Sequence, residues 1–228
     1  MKPTERLEVP STPRLIEALR AAIARLDPQV VIESGTYLGT GTTRVLLTAL
    51  AAHPLRRFVS LDVSRALQAQ ARQNLADAPH IELLWGMSVR RQHAIDFVRT
   101  DPLLRNLDPS LDIFIDFLPD PAAGYLTELE GSLGGDPSLL APDALFESLL
   151  PAHRLHRPLV CLDSAGGIGF LEFQETIRLL SPHPFGLFLD DINHLKHYRS
   201  KLRIESDPAF TIIDTCWDEG WLVALAFL

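Results

Sequence analysis

Cysteine is scarce: Cys161 and Cys216 are the two in 228 residues, and each lies in or beside an apolar run, where a buried, reduced thiol is usual. A disulfide scaffold and a cysteine-rich zinc centre are therefore excluded. No apolar run approaches the about 18 residues that a membrane helix needs, so no membrane partner is expected. The amino terminus from Met1 to Arg6 leads into polar sequence without an apolar stretch of signal-peptide length, which sets the expectation of a cytoplasmic protein. Excess positive charge is missing as well. The 21 Lys and Arg against 29 Asp and Glu give a net charge of -8, which repels a phosphate backbone, so no nucleic-acid partner is expected.

What is present is apolar residues in alternating patterns. A hydrophobic content of 46% suffices for one sizeable core, and we read residues 1–228 as a single domain. Ser11-Thr12-Pro13 followed by Leu15, Ile16, Leu19, Ile23 and Leu26 predicts a capped amphipathic helix. The β-branched run Val30-Val31-Ile32 then breaks into a glycine-rich turn and a helix from about Thr42 to Ala52. The rhythm repeats with strand Phe58 to Leu61 closing on Asp62, helix Ser64 to Ala76, and strand Ile81 to Trp85. It resumes with strand Leu159 to Leu162 closing on Asp163, helix Gly169 to Leu180, and strand Phe185 to Leu189 closing on Asp190 and Asp191. Strands alternating with helices argue for right-handed crossovers and a parallel sheet. Phe210 to Ile213 and Trp221 to Phe227 are joined by too short a turn for a crossover and predict an antiparallel hairpin. The expected fold is α/β: a Rossmann-like, mostly parallel seven-stranded sheet with helices on both faces and a C-terminal antiparallel β-hairpin.

Residues 90–158 depart from this rhythm. Prolines recur from Pro102 to Pro158 and a Gly131-Ser-Leu-Gly-Gly135 stretch intervenes, so the segment reads as an insertion, with one strand-like run (Leu111 to Phe117) and one helix (Ala141 to Leu150). Such segments serve as lids and substrate walls or as plain surface elaborations. The apolar hairpin and the insertion are the two surfaces that could join a homodimer.

The chemistry begins at Glu33-Ser34-Gly35-Thr-Tyr37-Leu-Gly39-Thr-Gly41. Glycines between a buried strand and a helix let the backbone turn sharply and approach a ligand. Asp62, about twenty residues on, is placed to accept both ribose hydroxyls of a bound nucleoside. Neither feature distinguishes a nicotinamide dinucleotide from S-adenosylmethionine. Glu33 directly before the loop and the closing hairpin do, and a short-chain dehydrogenase would want a Tyr with Lys four residues on, whereas Tyr198 is followed by Lys201 at three.

The segment from Glu33 to Gly41 resembles the first motif of class I methyltransferases, whose acidic residue helps organise the methionine end of the cofactor. The resemblance implies S-adenosylmethionine binding by Glu33, Ser34, Gly35, Tyr37, Gly39, Gly41, Asp62 and Asp163, with Met87 and Ser88 in the turn that touches the adenine. The stretches Leu159 to Gly166 and Phe188 to His194, with Glu172 between, are similar to metal-dependent small-molecule O-methyltransferases: the catechol type and the group of cephalosporin hydroxylases and macrolide sugar O-methyltransferases. In these, an Asp after the fourth strand and an Asp pair after the fifth hold a divalent metal. The resemblance thus implies Mg²⁺ on Asp163, Asp190 and Asp191, hard oxygen donors at the sheet's carboxyl edge. Such a metal would lower the pKa of an acceptor hydroxyl. The likeness covers residues 28–86 and 158–197. The catalytic lysine of the catechol enzymes is replaced by Gly166, so His194, then Lys196 and His197, all read on a loop following the fifth strand, are the candidate general bases. The expected function is methyl transfer to a small-molecule hydroxyl. A non-catalytic S-adenosylmethionine-binding protein and a nicotinamide-dependent oxidoreductase on a related fold are the alternatives.

Overall fold

The computed structural model describes residues 11–108, 110–131 and 141–228. The expectations on the first ten residues, on Pro109 and Pro137 and on Ser132 to Gly135 lie outside them. The strands are β1 (Val30–Ser34), β2 (Arg57–Asp62), β3 (Ile81–Trp85), β4 (Leu159–Leu162), β5 (Phe185–Leu189), β6 (Phe210–Cys216) and β7 (Trp221–Ala226). They form one sheet in the order β3-β2-β1-β4-β5-β7-β6. The first five are parallel, and β7 runs antiparallel to both β5 and β6. Every residue of β1, β4, β5 and β7 is buried, as a sheet covered on both faces requires.

Helices α1 (Pro13–Leu26) and α2 (Thr42–Leu50) cover one face, packing on Val31, Phe58, Cys161, Phe188 and Val223. Helix α3 (Arg65–Asn74) follows β2 and leads, through Leu75 on that same face, into β3. Thr12 caps α1 by accepting the Leu15 N–H at 3.3 Å, and Asp27 ends the helix in the left-handed region.

Among the described residues, four α-helices lie between β3 and β4: α4 (Arg91–Thr100), α5 (Pro102–Arg105), α6 (Pro121–Gly131) and α7 (Leu145–His153). Helices α7, α8 (Gly169–Leu180) and α9 (Leu195–Ser206) cover the second face through Phe146, Leu150, Phe173 and Ile204. Helices α4 to α6 build a third cluster, in which Val98, Leu104, Ile113, Tyr125 and Leu129 meet Ile168 and Leu195.

Three expectations need correction. The helix read as Ala141 to Leu150 begins at Leu145 and runs to His153. The strand-like run Leu111 to Phe117 joins no sheet. It makes a single parallel bridge, Phe114 with His194, closed by Phe114 N–H to Asn193 O (2.8 Å) and Leu195 N–H to Phe114 O (3.0 Å). The segment after His194, read as a loop, is helix α9.

Candidate active site

The parallel strands end together, and there the chain after β1 must bend over β4. Gly35 makes the bend at φ +91°, where a Cβ would lie 2.1 Å from the Asp163 carbonyl oxygen. Any side chain would push the two strand ends apart. The following turn places Tyr37 at φ +49°, and its N–H donates to Asp62 Oδ2 at 2.8 Å, while the Ser64 N–H donates to Oδ1 at 2.7 Å. Burial pushes the Asp62 carboxyl up, against these two N–H bonds. Each oxygen keeps a lone pair for a ligand.

Beyond these strand ends lies a cavity of about 840 Å³. Ser34, Gly35, Tyr37, Asp62, Met87, Ser88 and Asp163 line it, as do His194, Lys196 and Asp191. Glu33, Gly39, Gly41 and Asp190 do not. Glu33 lies wholly buried behind the loop, where Oε2 accepts from Thr43 Oγ1 (2.8 Å) and Ser60 Oγ (2.5 Å), and Oε1 has no partner. Burial raises its carboxyl to about 8. Gly39, at φ +69°, admits the side chain of Leu75, which a Cβ would meet at 2.8 Å. Gly41 is the N-cap residue of α2. These three lie behind or beside the loop and do not line the cavity, where the resemblance implied cofactor contacts. Trp85 is likewise occupied elsewhere, its indole N–H donating to Val63 O and its ring lying under the Arg65 guanidinium.

At the cavity floor, Glu172 is fully buried and accepts hydroxyls from Ser34 (3.1 Å), Ser164 (2.5 Å) and Ser88. Burial pushes its carboxyl up, while the three hydroxyls pull it back down.

The two acidic strand ends are joined by a lysine. Lys196 Nζ stands 3.2 Å from Asp163 Oδ1 and 2.8 Å from Asp191 Oδ2, and Thr42 Oγ1 donates to Asp163 Oδ2 at 2.9 Å. The neighbouring carboxylates outweigh burial and hold the Lys196 ammonium well above the usual lysine range. That environment works against the general-base role that the sequence reading gave it. Asp190 does not line the cavity, and its Oδ1 accepts the Asp191 N–H at 2.9 Å.

His194 is also fully engaged. Its Nδ1 accepts the Lys196 backbone N–H at 3.0 Å, which fixes the proton on Nε2, and Nε2 meets Asp116 Oδ2 at 2.9 Å. With both ring nitrogens so bonded, no lone pair is free, and the Nε2–H is directed at Asp116. The Tyr125 hydroxyl donates to the same Asp116 oxygen at 3.0 Å. Burial raises the Asp116 carboxyl, but the bonds and charges from His194, Tyr125 and Lys196 outweigh it and hold the group below the usual carboxylate range. Asp116, Tyr125 and Glu128 all line the cavity, and all come from the 90–158 segment. Sequence reasoning missed them. The one available signal was the alternation in Leu111 to Phe117, which sends Ile113 into the α4–α6 cluster and Asp116 toward the opening.

Among the described residues, no group of three His, Cys, Asp or Glu side chains could hold a metal ion. None of their helices is long and apolar enough to cross a membrane.

Comparison with solved structures gives the fold a precedent. The cofactor-bound protein Rv0187 from MTB shares 18% identity, with 97% of this chain and 82% of that chain covered at a TM-score of 0.51. A methyltransferase from Geobacter sulfurreducens shares 14%, with 95% and 80% covered, at a TM-score of 0.50. No protein-family model matches the sequence, and no curated protein matches it. The chain has the Rossmann-like fold of class I methyltransferases.

Proposed function

We propose that this fold carries an S-adenosylmethionine-dependent methyltransferase that methylates a hydroxyl of a small molecule. The observation that carries the reading is the acidity of the cavity at the sheet's carboxyl edge. Carboxylates of Asp62, Asp116, Glu128, Asp163, Glu172 and Asp191 line it, and the lysine there is already paired. Such a surface attracts a sulfonium cation and repels a pyrophosphate. At the N-terminus of α2, where a dinucleotide's pyrophosphate would be held in a nicotinamide enzyme, Asp163 Oδ2 accepts the Thr42 hydroxyl, which puts a carboxylate beside that position. This disfavours the oxidoreductase alternative.

The residues fit a sulfonium nucleoside. Asp62 offers its remaining lone pairs to the ribose hydroxyls, Gly35 keeps the loop free of side chain, and Met87 and Ser88 line the same wall for the base. When bound, S-adenosylmethionine supplies a methyl carbon open to in-line displacement by an acceptor oxygen. Phe114, Asp116, Phe117, Tyr125 and His194, which also line the cavity, form the acceptor side in this reading. Asp116 takes the acceptor's proton, oriented by His194 Nε2–H and the Tyr125 hydroxyl. Holding the oxygen toward the methyl group supplies most of the acceleration.

The test is calorimetry with S-adenosylhomocysteine and NAD on purified protein. We expect S-adenosylhomocysteine to bind, NAD not to, and Asp62→Ala to weaken the former by ~10²-fold or more, the loss of two charge-assisted hydrogen bonds at about 1.5–3 kcal/mol each. Binding of NAD in preference would overturn the reading.

A further inference from the structure

The metal that the sequence resemblance implies does not fit this donor set. Of the three candidate ligands, Asp190 does not line the cavity and accepts the Asp191 backbone N–H, and the other two, Asp163 and Asp191, already share the Lys196 ammonium. A divalent ion between them would sit against a fixed positive charge, and Mg²⁺ also demands a nearly ideal octahedron at about 2.0–2.1 Å.

We propose that Lys196 is the resident cation of this site, standing between Asp163 and Asp191 in the place of a divalent metal and offering its remaining N–H to the acceptor oxygen. An ammonium has three donors. Two are spent on Asp163 Oδ1 and Asp191 Oδ2, and the side chain lines the cavity. The ammonium is held by the fold itself: Lys196 lies in the first turn of α9, capped by His194 Nδ1, and the His194 ring is in turn fixed by Asp116. One chain of contacts thus links the cation to the carboxylate that faces the acceptor. The cation holds the acceptor oxygen and stabilises negative charge there as Asp116 takes the proton, which asks of the lysine that it stay charged. The consequence for catalysis rests on the methyl-transfer reading; the occupancy of the cation position does not.

The experiment titrates Mn²⁺ into the wild-type protein and into Lys196→Ala, followed by electron paramagnetic resonance, with S-adenosylhomocysteine calorimetry on the same samples. We expect no saturable Mn²⁺ binding by the wild type at millimolar metal, and S-adenosylhomocysteine affinity unchanged by EDTA. Lys196→Ala, which bares Asp163 and Asp191, is expected to gain saturable Mn²⁺ binding. Saturable binding by the wild type that Asp191→Asn abolishes overturns the proposal. So does a Lys196→Ala protein that still binds S-adenosylhomocysteine yet ignores Mn²⁺. If Lys196→Ala does not fold, the wild-type titration decides alone. Failure of the wild type to bind S-adenosylhomocysteine overturns the methyl-transfer reading instead, whatever manganese does.

Discussion

Glu33 shows what a single buried carboxyl behind the glycine loop contributes. Its carboxyl is wholly buried with one oxygen unpartnered, and burial raises it to about 8 from an ordinary value of 4.5. Between those values the folded protein keeps a proton that the unfolded chain has released. The stability present at low pH is therefore lost as pH rises through that window, at about 1.4 kcal/mol per unit for a single group. Glu33→Gln cannot ionise and can still accept the Thr43 and Ser60 hydroxyls. Its urea midpoint should fall less than the wild type's between about pH 5 and about pH 8, and equal falls would contradict the assignment. Gly35→Ala is the opposite case, because its Cβ would lie 2.1 Å from a backbone oxygen at a φ of +91°. We expect a loss of about 2 kcal/mol or more in denaturant stability, together with weakened S-adenosylhomocysteine binding. Asp116→Asn keeps the shape but cannot take a proton. Methyl transfer to a panel of phenolic and hydroxylated acceptors should fall by ~10²-fold or more, with S-adenosylhomocysteine affinity unchanged; undiminished transfer would remove Asp116 from the mechanism.

At the scale of elements, Thr12 ties the first helix to the last hairpin. Its hydroxyl accepts the Leu15 N–H and donates to Glu219 Oε2 at 3.0 Å. Thr12→Ala should cost about 1 kcal/mol, read as a lower urea midpoint, and an unchanged midpoint would show that the cap contributes nothing. This helix was legible because Leu15, Leu19, Ile23 and Leu26 repeat at its period and Pro13 opens it. The seven strands were legible for a related reason: buried parallel strands are continuous apolar runs bounded by turn residues. Helices α4, α5 and α6 were not. The prolines that made the segment look irregular include Pro102 and Pro121, which stand at the first positions of α5 and α6, where the missing N–H costs nothing. Helix α9 was misread because its buried face is short, Leu195, His197, Ser200 and Ile204, with two polar residues among the four. A sequence pattern counts only apolar residues. His197 is nevertheless buried, with burial as the first cause pushing its imidazole down to about 3, so it packs there neutral.

For the molecule as a whole, the order of strands and the reversal at β7 put Asp62, Asp163 and Asp191 at one edge of the sheet, and that convergence was already visible in their positions at the ends of apolar runs. What the runs could not show is which oxygens the chain itself would occupy. Lys196, distant in sequence from Asp163, folds back between the two carboxylates, and residues of the β3-to-β4 connection close the far wall. Long-range pairings of this kind leave no local pattern. The central claim, that this acid-lined edge accepts a sulfonium nucleoside, is tested most directly by a crystal structure of the protein grown with S-adenosylmethionine. The account predicts electron density with the ribose hydroxyls on the Asp62 carboxylate, the base along Met87 and Ser88, and the sulfur facing Asp116. Density elsewhere on the surface, or a cavity holding only water at saturating nucleoside, would contradict it.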